Sequence, residues 1–102
     1  MPKYLVIAHF NPGQANKADV KNRGNQSKNW VQQQSAGGVI ESAYTFTSHD
    51  PVPGGCAIVQ ANSAADLQNL LVSNPSNPHM RYETHELSDY SPGIDQYHAD
   101  LG

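Results

Sequence analysis

The sequence predicts an α+β fold of order βαββαβ: a four-stranded antiparallel sheet with two helices on one face. Three observations lead to it. KYLVIAHF, residues 3–10, places Tyr4, Val6, Ala8 and Phe10 on one face and Leu5 and Ile7 on the other. A strand that is apolar on both faces belongs inside a sheet. DPVPGG, residues 50–55, is too rich in Pro and Gly for anything but a turn between antiparallel strands. NSAADLQNLLVS, residues 62–73, reads as a capped amphipathic helix between two strand-like runs. Right-handed crossovers then bring both helices to the same face.

The elements follow in order. NPG at residues 11–13 ends the first strand with turn chemistry. Residues 14–35 are polar, with Ala15, Ala18, Trp30 and Val31 as their main apolar side chains, and predict a helix best defined over 26–34. Gly24 should weaken that helix by roughly 1 kcal/mol relative to Ala. Residues 39–49 form the second strand, with Ile40, Ser42, Tyr44 and Phe46 alternating against Glu41, Ala43, Thr45 and Thr47. Residues 56–61 return as the third strand. Ser63 followed by Asp66 resembles a capping box, worth about 1 kcal/mol at the cap. Leu67, Leu70 and Leu71 form the stripe of the second helix, which Pro75 and Pro78 terminate. MRYETHEL is the last strand. The expected organisation is one domain over residues 1–88 and a polar C-terminal tail over 89–102.

A chain of 102 residues buries roughly 60–65% of the surface that its unfolded form exposes, enough for one modest core. Two helices cover one face of the sheet, so Leu5 and Ile7 on the other face require a second layer. Another copy of the same sheet supplies it, and a homodimer or higher homo-oligomer is expected. The net charge is −3 with His neutral. Four of the six basic residues (Lys17, Lys21, Arg23, Lys28) lie between Gly13 and Trp30, and five of the nine acids lie in the last twenty residues. An acidic whole argues against a nucleic-acid partner. No stretch approaches the ~18 apolar residues of a membrane span, and the N-terminal run is shorter than a signal segment. With Cys56 alone and no internal disulfide possible, a cytoplasmic protein is expected.

Arg81, Glu83 and His85 occupy every second position of the last strand and share one face. Met80 and Tyr82 are the better partners for the leucine helix, which turns the charged row toward the sheet-to-sheet side or an edge. There it serves either as an ion-paired interface strip or as a site with His85 as acid/base, its imidazole titrating near ~6.5 when unperturbed. The five histidines (His9, His49, His79, His85, His98) show neither helical i, i+4 pairing nor a cysteine partner at ligand spacing, so no metal is expected, and no cofactor.

GGCAIVQANSAADLQNLLVSNPSNPHMRYETHEL resembles the dimeric α+β barrel superfamily, and within it the muconolactone isomerase-like branch. Ser63, Leu67, Leu70, Leu71, Pro78, Met80, Arg81, Tyr82 and Glu83 occupy the helix-to-strand pattern of that branch. The first helix departs from it, being full of Asn and Gln, with Gly37-Gly38 at the approach to the second strand. The resemblance implies a ferredoxin-like fold that dimerises through its sheet and a ligand cleft between sheet and helices. It also implies acid–base chemistry on a small organic, lactone or ring-derived molecule. His9, Tyr44, Phe46 and Trp30 are the candidates for that cleft, with only one of His9 and Phe10 able to point into it. His9 would be the base, and Tyr44 or Lys28 the donor to a developing enolate oxygen. The same aromatic residues also serve as plain core. Two readings therefore stand: a small-molecule-binding protein with isomerase- or lyase-like chemistry, and a non-catalytic binding or scaffold module whose Arg81–Glu83–His85 row serves dimerisation.

Overall fold

β1 (Lys3–Phe10) lies inside the sheet, as its two-sided apolarity requires. The computed structural model describes residues 1–48 and 53–102. Its further elements are α1 (Lys17–Ala36), β2 (Ile40–Thr45), β3 (Gly54–Gln60), α2 (Ala64–Val72), β4 (Met80–Leu87) and α3 (Tyr90–Leu101). The four strands form one antiparallel sheet in the order β2-β3-β1-β4. The first half of the expected turn at 50–55 and the last residue of the expected second strand lie outside the described residues, and β2 ends at Thr45, short of the expected strand. Gly54 and Gly55 belong to β3.

The register assigns the faces. Val6 pairs with Ala57 and Thr84, and Tyr4 with Val59 and Glu86, so Tyr4, Val6, Ala8 and Phe10 share the helix side with Met80 and Tyr82. Leu5, Ile7, Ile58, Arg81, Glu83 and His85 point to the open side. Leu67, the most completely buried leucine, sits at 1% exposure among Tyr4, Val6, Ile40, Val59, Ala61 and Leu71. α2 begins as its sequence requires: the Ser63 hydroxyl accepts the Asp66 amide at 3.1 Å.

Three features depart from the sequence-based reading. First, α1 runs unbroken through Gly24 from an Asn16 cap, whose side chain accepts the Asp19 amide at 2.8 Å. Tertiary hydrogen bonds on both sides of Gly24 offset its low propensity. Second, a register shift between Ile40 and Ser42 breaks the alternation of β2. Ile40 stays buried opposite Val59, whereas Tyr44 pairs with Cys56, in line with Ile7 on the open side. A bulge of this kind inserts one residue and flips everything after it. Third, residues 90–101 of the expected tail are helical.

Candidate functional site: an apolar cleft under the first helix

α1 buries none of its residues. Trp30 and Val31 pack against the core only half-buried, and a polar seam along one face of the helix completes the attachment. Arg23 Nη1 donates to the Pro75 carbonyl at 3.2 Å, Ser27 Oγ to Asn74 Oδ1 at 2.7 Å, and Trp30 Nε1 to Ser73 Oγ at 3.0 Å. Ser76 Oγ returns a bond to the Arg23 carbonyl at 3.3 Å. Arg23, Ser27 and Trp30 are spaced by four and three, so one helix face meets the 73–76 loop.

This attachment leaves space between helix and sheet. The sheet beneath α1 is floored by small residues, Ala8, Ala43, Gly55 and Ala57, which rise too little to meet a helix that carries few apolar side chains of its own. The result is a cleft of about 670 Å³, within the usual range for small-molecule sites. Phe10, Trp30, Val31, Phe46, Leu70 and Met80 contribute apolar wall, and Ser27, Asn74, Ser76 and Tyr82 a polar corner.

That corner is ordered from within. Asn74, only 8% exposed, accepts from Ser27 Oγ and from the Ser76 amide at 3.0 Å, and its Nδ2 donates to the Tyr82 hydroxyl at 3.1 Å. Burial pushes the Tyr82 phenol above its ordinary pKa, and the Asn74 bond opposes this only in part. The phenol therefore keeps its proton at neutral pH. Because its oxygen is already accepting, that proton is free to be donated to a ligand.

The candidate residues fall on two sides of the sheet. Trp30, Phe46 and Lys28 line the cleft, and of the pair His9 and Phe10 it is Phe10 that does so. His9, paired with Arg81, faces the open side, where its charge acts on Glu83. Tyr44 borders the cleft but is 67% exposed, its register turned by the bulge. The two therefore do not form the base-and-donor pair expected inside the cleft. No histidine, aspartate or glutamate is among the described residues that line it.

Arg81, Glu83 and His85 form an exposed row on the open side. His85 Nε2 lies 2.7 Å from Glu83 Oε2, and this bond, with the nearby charges of His85, His9 and Arg81, holds the Glu83 carboxyl below its ordinary pKa. Cys56 is a half-buried free thiol. Among the described residues, no group of three or more His, Cys, Asp or Glu side chains could hold a metal ion, and no helix is long and apolar enough to cross a membrane.

Sequence reasoning placed Tyr82 against the helices but missed its role in the corner, and it missed Asn74 and Ser27 altogether. The clue was available in SNPSNP, residues 73–78, where a polar loop containing two prolines faces a helix with polar residues at matching spacing.

No protein-family model matches the sequence, and no curated protein matches it. Solved structures do resemble it in fold. Muconolactone isomerase, known from a crystal structure at 3.3 Å resolution, superposes with a TM-score of 0.73 at 16% identity, covering 89% of this chain and 92% of that one. The 5-chloro-2-hydroxyhydroquinone dehydrochlorinase of Burkholderia phenoliruptrix, in complex with 2,5-dihydroxybenzoquinone, superposes with a TM-score of 0.64 at 12% identity, covering 88% and 97%. The ferredoxin-like α+β fold is thereby established.

Proposed function

We propose that this chain binds a small ring-bearing organic molecule with a carbonyl or enol oxygen in the cleft under α1, and that it promotes isomerase- or lyase-like proton movement on it. The observation that carries the reading is the Tyr82 hydroxyl, fixed by Asn74 at the polar corner of an otherwise apolar cleft. A protonated phenol in such surroundings donates to a carbonyl oxygen and stabilises the charge that develops there as an adjacent carbon loses its proton. Lys28, exposed at the border of the cleft, is a second donor to that oxygen, while the carbon-bound proton passes to a small base from solution. Support also comes from the two proteins of like fold, whose names describe work on small ring compounds. Two copies pair through their open sheet faces, covering Leu5, Ile7 and Ile58, with Arg81, Glu83 and His85 as the polar part of the contact.

The test is calorimetric titration with 2,5-dihydroxybenzoquinone and with an unsaturated lactone. Binding of either, weakened about tenfold by Tyr82→Phe (a loss of ~1.4 kcal/mol), supports the reading. Equal affinity in the variant removes Tyr82 from the site. A Lys28→Ala variant that binds normally but exchanges the lactone's acidic hydrogen with deuterium more slowly assigns Lys28 to the developing charge on the oxygen. No exchange by the parent protein would leave a binding module, the second reading.

A further inference from the structure

α1 meets the loop after α2 in a series of rungs that runs antiparallel to it. Trp30 bonds Ser73, Ser27 bonds Asn74, and Arg23 bonds the Pro75 carbonyl. Asp19, one turn before Arg23, is next on the same helix face and stands opposite His79. This last rung is not closed. Asp19 Oδ2 lies 3.6 Å from His79 Nε2, beyond hydrogen-bond length.

The His79 side chain is only 13% exposed, and its Nε2 is buried with no hydrogen-bond partner among the described residues. A lone pair on Nε2 would face the carboxylate, and a proton there on the neutral ring would not reach it. The ring is fixed in place from three sides. The His79 amide donates to the Ser76 carbonyl at 2.9 Å, and its carbonyl accepts the Asn11 amide at 2.7 Å. The imidazole packs edge-on against Phe10, with ring centroids 6.1 Å apart.

Few charges surround it among the described residues. α1 turns Asp19 and Arg23 toward the ring, whereas Lys17 and Lys21 are exposed. β1 contributes Phe10, its His9 facing the open side, and Arg81 of β4 faces that side too. Residues 73–78 carry no charge. Arg23 opposes a second proton on His79 and Asp19 favours it. The bond from Arg23 Nε to Asp19 Oδ2, at 3.1 Å, fixes that carboxylate beside the ring.

We infer that His79 and Asp19 form an acid-closed clamp on the first turns of α1, and that the clamp governs how readily the cleft opens. Imidazole is the side chain whose charge ordinarily changes between about pH 5 and 8. Once protonated, Nε2 is a charged donor in a buried position and must be paired. The Asp19 carboxylate then closes on it to the ~2.8 Å of a charge-assisted bond. On the alkaline side the neutral ring leaves the rung unmade, and the start of α1 is held more loosely. No residue of α1 is fully buried, so one rung is a sizeable share of its attachment. His79 stands behind Phe10, which lines the cleft, so closure firms the wall at that end. The effect on a ligand rests on the role proposed for the cleft, and the clamp itself does not.

The experiment is amide hydrogen exchange on the full chain at about pH 5.5 and about pH 7.5, either side of the imidazole range. Protection is taken relative to the intrinsic exchange rate at each pH. Amides of residues 20–24 should be about tenfold better protected in acid, the effect of one hydrogen bond to a charged group. His79→Gln should abolish that gain and Asp19→Asn should lose most of it, while β1 amides stay protected and report an intact core. Equal protection of the parent at both pH values would overturn the clamp, as would a gain that survives in His79→Gln. A full gain in Asp19→Asn would overturn the pairing. Dissociation of 2,5-dihydroxybenzoquinone, followed by stopped flow, should be slower from the parent than from His79→Gln in acid and equal at the higher pH. Equal rates in acid beside a clear exchange difference would overturn control of the cleft. A quinone that does not bind counts against the ligand reading alone, since the exchange result decides the clamp by itself.

Discussion

The Asn74 side-chain amide donates to the Tyr82 hydroxyl at 3.1 Å, tying the loop after α2 to the helix-facing side of β4. Because the same amide accepts from Ser27 on α1, one side chain ties three segments together at the polar corner of the cleft. Asn74→Ala would leave the Ser27 hydroxyl, the Ser76 amide and the Tyr82 oxygen short of a partner. Urea denaturation should register a loss of about 1–3 kcal/mol. Calorimetry should also find weaker binding of 2,5-dihydroxybenzoquinone, since Tyr82 loses its orientation. A variant as stable as the parent would mean that water replaces the amide fully.

Glu83 and His85 give the open face a pH dependence. The Glu83 carboxyl is held below its ordinary pKa first by the His85 hydrogen bond, with burial opposing and the charges of His85, His9 and Arg81 assisting. The folded state therefore binds this proton less readily than the unfolded state does. The stabilisation is present above the unfolded carboxylate pKa and is lost as pH falls through the lower, folded value. Carbon-detected NMR titration should find Glu83 ionising below the ordinary glutamate range. In His85→Ala its midpoint should rise toward that range. An unchanged midpoint in the variant would assign the shift to Arg81 and His9 instead.

Two glycines should respond in opposite directions. A Cβ on Gly55 would run into the Tyr44 carbonyl oxygen and lie 3.2 Å from the Thr45 Cα, across the β2–β3 pairing. Gly55→Ala should cost about 1–3 kcal/mol, since backbone on the neighbouring strand must give way. A Cβ on Gly24 meets nothing within 4 Å, and helix propensity then dominates. Gly24→Ala should stabilise by about 0.5–1 kcal/mol. Denaturation midpoints moving in the same direction for both variants would contradict these placements.

What the sequence determined by itself is the sheet and the helix behind it. β1 is interior because Tyr4 and Val6 on one side and Leu5 and Ile7 on the other all need cover. α2 starts at Ser63 and packs through Leu67 and Leu71 because cap and stripe are local patterns. The Arg81–Glu83–His85 row follows from period-two alternation, and it lies on one face as that alternation requires.

Tertiary structure decided the site. The bulge after Ile40 carries no composition mark, yet it moves Tyr44 to the other side of the sheet. His9 and Phe10 are neighbours in an unbroken strand, and only the pairing with β3 and β4 settles which of them faces the helices. The cleft is a difference between two surfaces, an apolar-poor α1 and a floor of alanine and glycine, and a difference of that kind appears only once both surfaces are in place. Asn74 and Tyr82 meet because a loop and a strand converge on one helix, and hydrogen bonds between such separate segments depend on distances in space rather than on spacing along the chain.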